Sequence, residues 1–238
     1  MREMKKIKVA LIIPAYNEGL VIFDVVKHLA QVFKTSTHNF QIIVVDDSSR
    51  DNTASEARRA GAHVITHILN TGSGGATATG LSYAFQHDFT IATTSDGDGQ
   101  HAPEDVLNGV NLMLKNEADL LIGSRLINRY GMSRVKVLGN KGLSFITYML
   151  FGISVTDSQS GLRVFSQRAL KELKWKTSGY EFCSEMLWRA KQQKLTINEY
   201  SIKAIYTEYS RAKGQNNWNA FNIIKSLLQR RISELFHE

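Results

Sequence analysis

Short apolar runs alternate with longer stretches of helical period through the first half of the chain. Residues 7–13 read as a buried strand, and residues 19–33 as a helix with Leu20, Phe23, Val26 and Leu29 on one face. Residues 41–45 predict a second strand, 51–60 a helix, 63–67 a third strand and 74–87 a further helix. A fourth strand is expected at 89–94, a helix with Pro103 in its first turn at 103–115, and a fifth strand at 119–122. This rhythm predicts an α/β fold in which a mostly parallel sheet carries helices on both faces. The second half is less regular, with a helix at 137–150, a short strand at 162–165 and a helix at 182–193. At the end, residues 218–236 set Trp218, Phe221, Ile224, Leu228, Ile232 and Leu235 at helical spacing. No repeat, low-complexity tract or Pro-rich linker interrupts the pattern, so residues 1–238 are expected to form one domain.

Composition narrows this picture. A chain of 238 residues that is 43% hydrophobic and 21% charged suits a globular protein with a full core. Cys183 is the only cysteine, which excludes a disulfide framework and points to a reducing, cytosolic setting. The basic N-terminus leads into an apolar run that is short and ends at Pro14, so it reads as the first strand rather than a signal peptide. The other long apolar-rich stretch, 142–155, falls short of the ~20 residues that cross a bilayer. The net charge of +7 is unevenly placed: ten Lys or Arg against Asp157 and Glu172 give +8 between residues 125 and 176. Such a local excess suits an anionic partner, either phosphates or an acidic membrane surface, although a solvated basic face is the bland alternative. A nucleic-acid partner is not expected, because few aromatics interleave the cations.

In an open parallel sheet, ligands bind beyond the carboxyl ends of the strands. Three polar clusters fall there: Pro14-Ala-Tyr-Asn-Glu18 after the first strand, Asp46-Asp47-Ser48-Ser49 after the second, and Ser95-Asp-Gly-Asp-Gly-Gln-His101 after the fourth. Each alone could be turn chemistry, and Ser49 or Asp51 is a candidate cap for the next helix. Gathered on one edge, their carboxylates repel one another unless a cation or a hydrogen-bonding ligand joins them. Competing motifs fail on spacing. An EF-hand starting at Asp96 would need glycine at His101 and glutamate at Leu107. The glycines from Gly72 to Gly75 lack the last glycine of a dinucleotide fingerprint and follow the third strand, and Gly75 to Gly80 is followed by Leu81 instead of a P-loop lysine.

Taken in order, IPAYNE, VVDDSSRDNT, NTGSGGA, SDGDGQHAPED, LLIGSR and DSQSGLRVF resemble the family 2 glycosyltransferases of the GT-A fold over roughly residues 7 to 215. The motifs are most like those of dolichol-phosphate mannose synthases and bacterial polyprenyl-phosphate sugar transferases. The resemblance implies a hexosyltransferase in which Pro14, Tyr16, Glu18 and Asp47 hold the base and ribose of a nucleotide sugar. It implies Asp96, Asp98 and Gln100 as ligands of Mg²⁺ or Mn²⁺ at the donor diphosphate, and Arg125 and Arg134 as contacts of the acceptor phosphate. Arg211 opens a loop that closes over the donor in this group. Here Asn216 and Asn217 replace the serine and lysine of its pattern, and Lys213 is the candidate for the missing charge. His101 is expected beside the metal ligands, not among them.

The expected activity is metal-dependent, inverting transfer from a GDP- or UDP-sugar to dolichyl or undecaprenyl phosphate. Asp98, Arg125 and Asp157 form the candidate catalytic set. A lipid phosphate is already anionic and needs positioning, whereas a sugar hydroxyl needs a base such as Asp157. Asp157 could equally orient Arg163 or a backbone turn. Alternatives are a transferase acting on a polysaccharide or glycoconjugate hydroxyl, and a non-catalytic nucleotide-sugar-binding module. The enzyme is expected on the cytoplasmic membrane face, reached through the 137–150 helix, the 218–236 helix or a small separate membrane protein.

Overall fold

A computed structural model describes residues 6–129 and 132–209, together with Lys225. Seven strands form one sheet: β1 (Lys8–Ala15), β2 (Asn39–Asp46), β3 (His63–Thr66), β4 (Ile91–Thr94), β5 (Leu120–Ser124), β6 (Arg163–Ser166) and β7 (Ile197–Ser201). Their spatial order is β3-β2-β1-β4-β6-β5-β7. All neighbours are parallel except that β6 runs against both β4 and β5.

The strands read as continuous apolar runs because both faces of the sheet are covered. On β1, Val9, Leu11 and Ile13 face one core with α1 (Ile22–Phe33), α2 (Thr53–Arg59) and α4 (Pro103–Lys115). Ala10 and Ile12 face the other, with α3 (Gly72–Gln86), α5 (Arg134–Phe151), α6 (Gln167–Glu172) and α7 (Phe182–Gln192). The period-2 alternation of strands thus divides the chain into three layers, as the strand–helix rhythm predicts.

The differences from expectation have local causes. The first helix begins at Ile22, and Leu20, expected on its buried face, is 85% exposed. The backbone before it is drawn toward the β2 loop: Glu18 N–H donates to Thr53 Oγ1 at 2.8 Å and Gly19 N–H to Asp51 Oδ2 at 3.0 Å. Phe23 is half-buried and carries the Arg59 guanidinium 4.3 Å from its ring centre. Neither α6 nor β7 was expected. The first is too short for a periodic signal, and the second is an edge strand of mixed polarity, INEYS. The expected helix at 218–236 lies outside the described residues.

The reversal of β6 decides which loops share an edge. Its first residue, Arg163, is opposite Thr94 of β4 and Ile122 of β5, near the carboxyl ends of both. Residues 157–162, which precede β6, therefore arrive at the same sheet edge as the loops that leave β1, β2, β4 and β5. A strand at 162–165 is readable from its apolar run, but its direction is not.

Helix α3 lies against β1 so closely that a Cβ on Gly80 would overlap Ile12 Cγ2. Gly80→Leu is expected to lower stability by about 1–3 kcal/mol through overpacking. A urea titration would show this as a lower midpoint with an unchanged slope.

Candidate active site

The loops leaving β1 and β2 are fastened to each other. Asn17 N–H donates to Ser49 Oγ at 2.9 Å, and Arg50 N–H to Asn17 Oδ1 at 2.9 Å. Neither candidate cap is the N-cap of α2, which is Asn52 without a side-chain cap bond; Asp51, one residue earlier, accepts Thr53 N–H at 3.0 Å, and Ser49 holds the neighbouring loop. Asn17 and Ser48 both take left-handed backbone conformations, which for serine is a cost tolerated where a loop shape is overdetermined. Pro14 is opposite Val45 one residue before β1 ends at Ala15, Tyr16 is exposed, and Glu18 is buried.

Asp47 is turned inward. Its Oδ1 accepts Thr71 N–H, the Thr71 hydroxyl and a ring nitrogen of His67, all at 2.8 Å, and Oδ2 accepts Gly72 N–H at 2.7 Å. Burial alone would push this carboxyl up. The hydrogen bonds, led by Thr71 N–H and then His67, outweigh burial and bring it below the ordinary 3.8. The expected nucleotide contact at this position is thus a carboxylate already engaged by the start of α3.

The loop after β4 lies beside the first. A Cβ on Gly97 would be 3.4 Å from Glu18 Cγ and 3.5 Å from Pro14 O. Gly99 is needed for its own backbone, which has a φ of 77°. Asp96 N–H donates to His101 Nδ1 at 3.2 Å. That bond leaves the proton on Nε2, 3.7 Å from Asp96 Oδ2, so His101 braces Asp96 as a neighbour. Asp98 accepts Gln100 N–H at 3.1 Å and the Gln100 side-chain amide. Burial, and then the charge of Asp96, raise the Asp98 carboxyl above 3.8 in spite of those bonds. Gly161, from the turn before β6, packs on this pair, and a Cβ there would overlap the Asp96 carboxylate.

Two mutually repelling carboxylates and an amide oxygen make an all-oxygen donor set suited to a hard divalent cation. Among the described residues no three His, Cys, Asp or Glu side chains form a metal cluster. A cation here would have two carboxylate ligands and open positions for phosphate and water.

Across the edge, Asp157 is fully buried and grips Arg125 from two sides. Arg125 Nε donates to Oδ2 at 2.7 Å, Nη2 to Oδ1 at 2.9 Å, and the backbone N–H to Oδ2 at 3.2 Å. Burial would lower the Arg125 pKa, but the bonds and charge of Asp157 raise it and keep the guanidinium charged. Asp157 does not orient Arg163, whose guanidinium donates instead to the carbonyls of Ser158, Ser160 and Cys183 and to Met186 Sδ. Arg134 is exposed as the first residue of α5. Arg211 and Lys213 lie outside the described residues.

Residues not singled out from the sequence also line this edge. After β7 the chain crosses it: Ile205 N–H reaches Gln100 O at 3.4 Å, and the Tyr209 hydroxyl donates to Glu18 Oε2 at 2.8 Å. Between them, the Tyr206 ring carries Lys136 Nζ 3.9 Å from its centre. Tyr180, half-exposed just before α7, has its phenol raised first by burial and then by the charges of Asp96 and Asp98. The pair of tyrosines in IYTEY was the available signal, but spacing alone does not say that the segment crosses a site.

Residues 10–174 match the family model described as Glycosyl transferase family 2. The chain is 42% identical to the UDP-N-acetylglucosamine–dolichyl-phosphate N-acetylglucosaminyltransferase of Methanococcus voltae, across 94% of this chain and 96% of that one. It is 27% identical to the polyprenol monophosphomannose synthase of Mycolicibacterium smegmatis, across 92% and 84%. Among solved structures, glucosyl-3-phosphoglycerate synthase from Mycobacterium tuberculosis, in complex with Mn²⁺, UDP and glucosyl-3-phosphoglycerate, superimposes with a TM-score of 0.73 at 20% identity. That likeness covers 94% of this chain and 80% of that one, and shows the fold.

The two buried carboxylates have measurable consequences. Because the Asp47 carboxyl lies below its unfolded value, it stabilises the fold above about pH 3.8, and this contribution fades as pH falls through the folded value. The stability difference between wild type and Asp47→Asn should be full at pH 7 and shrink on acidification below that range, as followed by denaturation at several pH values. Asp157→Ala leaves a mostly buried guanidinium unpaired and should cost about 3–5 kcal/mol, read as a lowered Tm.

Proposed function

The chain belongs to glycosyl transferase family 2, and on that premise we propose that it moves one sugar from a nucleotide sugar to a polyprenyl phosphate. The observation that carries this reading is the buried, bidentate Arg125–Asp157 pair. A hydroxyl acceptor needs a carboxylate with a lone pair to spare, and Asp157 gives its oxygens to Arg125. A phosphate acceptor brings its own negative oxygen. Transfer to a saccharide hydroxyl is therefore the weaker reading. Strong likeness to a dolichyl-phosphate N-acetylglucosaminyltransferase supports the same acceptor class and makes UDP-N-acetylglucosamine the first donor to test.

In this reaction a phosphate oxygen of the lipid attacks the anomeric carbon as the bond to the donor diphosphate breaks, and the configuration at that carbon inverts. Asp96, Asp98 and Gln100 would hold Mg²⁺ or Mn²⁺, and such an ion would supply positive charge toward the leaving diphosphate. Arg125 presents its remaining Nη1 edge to the acceptor, while Asp157 fixes the plane of the guanidinium. The loop at Pro14–Glu18, with Tyr16 exposed upon it, receives the nucleoside.

Placement at the cytoplasmic face of a membrane, with the lone cysteine reduced, fits both substrates. Among the described residues no helix is long and apolar enough to cross a membrane. Helix α5 instead buries Leu143, Ser144, Thr147 and Phe151 and exposes Val135, Leu138, Phe145 and Met149 in one stripe, each more than 60% accessible. Arg134 and Lys141 accompany that stripe, a composition suited to the surface of a bilayer.

The test incubates the chain and Mn²⁺ with a panel of UDP- and GDP-sugars and undecaprenyl phosphate vesicles, and identifies the lipid product by mass spectrometry. A glycosylated lipid phosphate is expected, and product only on saccharide hydroxyls would overturn the reading. Asp98→Ala should stay folded, since it removes a repelled charge, while turnover falls by about a hundredfold or more.

A further inference from the structure

Residues 152–157, between α5 and β6, form neither helix nor strand, yet Asp157 at their end is fully buried and sets the plane of the Arg125 guanidinium. Backbone in such a segment must find its hydrogen-bond partners elsewhere. The N–H groups of Thr156 and Asp157 find theirs in one side chain. Glu199 Oε1 accepts Thr156 N–H at 2.9 Å and Asp157 N–H at 3.2 Å, and Oε2 accepts Thr156 N–H at 2.8 Å. From the other side, Ser144 of α5 accepts Ser158 N–H at 3.0 Å and donates to Thr156 O at 3.1 Å. The backbone is thus held on both flanks of Asp157, and its carboxylate is left for Arg125.

A second route leads from Glu199 to the backbone around Arg125. Glu199 Oε1 accepts the Thr156 hydroxyl at 2.8 Å, Thr156 Oγ1 is 2.6 Å from Ser124 Oγ, and Ser124 Oγ accepts Leu126 N–H at 3.2 Å. A carboxylate with N–H donors on both oxygens is an acceptor, so Thr156 gives its one proton to Glu199 and accepts from Ser124. The direction of the relay is therefore set by Glu199: Leu126 donates to Ser124, Ser124 to Thr156, and Thr156 to Glu199. Ser124 and Leu126 are the two neighbours of Arg125 in the chain. Among the described residues no cation pairs with Glu199, which lies on the edge strand β7 opposite Ile122 of β5.

We propose that Glu199 is a positioning residue for acceptor recognition. It fixes the backbone on either side of Arg125 and at Asp157, so that the donor edge not used by Asp157 meets the acceptor phosphate in one orientation. This rests on the lipid-phosphate reading above and adds to it a residue that acts only through Arg125. Recognition of phosphate by a guanidinium depends on the plane of the fork, and that plane depends on where the Asp157 carboxylate stands. A shift of residues 156–157 passes directly to it.

Initial rates with Mn²⁺, the nucleotide sugar that wild type uses and undecaprenyl phosphate vesicles test this, taken well below the unfolding temperature of each variant. Glu199→Ala should raise the acceptor KM about tenfold, the scale of one charge-assisted contact, with the donor KM unmoved. Glu199→Gln keeps an acceptor oxygen for the same donors and should recover most of that loss. In an Arg125→Lys background, where the planar fork is already gone, Glu199→Ala should add little. A purely structural Glu199 would give a lower urea midpoint in Glu199→Ala with the acceptor KM unchanged, and that result would overturn the proposal. So would a loss in the Arg125→Lys background as large as in the wild-type one, or equal damage by Glu199→Gln and Glu199→Ala. Should Glu199→Ala fail to fold, Thr156→Val cuts the hydroxyl route and leaves the carboxylate in place. A raised acceptor KM in that variant supports the proposal, and an unchanged one overturns it. If wild type transfers sugar to no lipid phosphate, the reading of the acceptor falls, and this inference with it.

Discussion

The guanidinium of Arg163 is buried, and no carboxylate among the described residues pairs with it. It is held by Ser158 O at 2.7 Å, Ser160 O at 3.0 Å, Cys183 O at 3.2 Å and Met186 Sδ at 3.0 Å. A buried cation costs several kcal/mol unless its hydrogens are satisfied, so these acceptors must stay turned toward it. That requirement shapes the turn of residues 157–161 and seats the first turn of α7. With the turn so shaped, Gly161 packs on Asp96, Asp157 meets Arg125, and Thr94 Oγ1 closes the strand pair by donating to Gly161 O at 2.7 Å.

The edge of the sheet is divided electrically by this arrangement. On one side Asp96 and Asp98 repel each other in a partly buried loop, a state that a divalent cation would relieve. On the other side Asp157 holds Arg125 charged and in plane, while Lys136 rests on an aromatic ring. The acidic loop and the Arg125–Asp157 pair are thus separated by the turn that Arg163 organises. The segment after β7 spans the division, touching Lys136 through Tyr206, the loop of Asp96 and Asp98 through Ile205 and the β1 loop through Tyr209. The proposed reaction between two anionic partners would need such separate handling of charge, since each would otherwise repel the other.

Much of this was readable along the chain because it is local. Apolar runs such as IKVALII need two covered faces, and polar clusters at strand ends announce the binding edge whatever lies across from them. Asp96 and Asp98 were visible because a two-residue spacing around glycine is a property of the backbone itself. Asp157 was visible as a carboxylate but not as the partner of Arg125, because 32 residues separate them. Leu20 misled because helical spacing continues past the point where hydrogen bonds to Thr53 and Asp51 pull the chain out of the helix.

By itself, the sequence determined the layered α/β class, the family and the identity of the acidic loop, since periodicity and short motifs depend on neighbours within a few residues. The tertiary structure decided which strand runs backward, which charge Asp157 serves, and which side chains from the segment after β7 reach the site. Those outcomes depend on pairings across the sheet and on how buried charges are satisfied. No local pattern encodes them, because the cost of an unpaired ion is set by whatever the fold brings to its side.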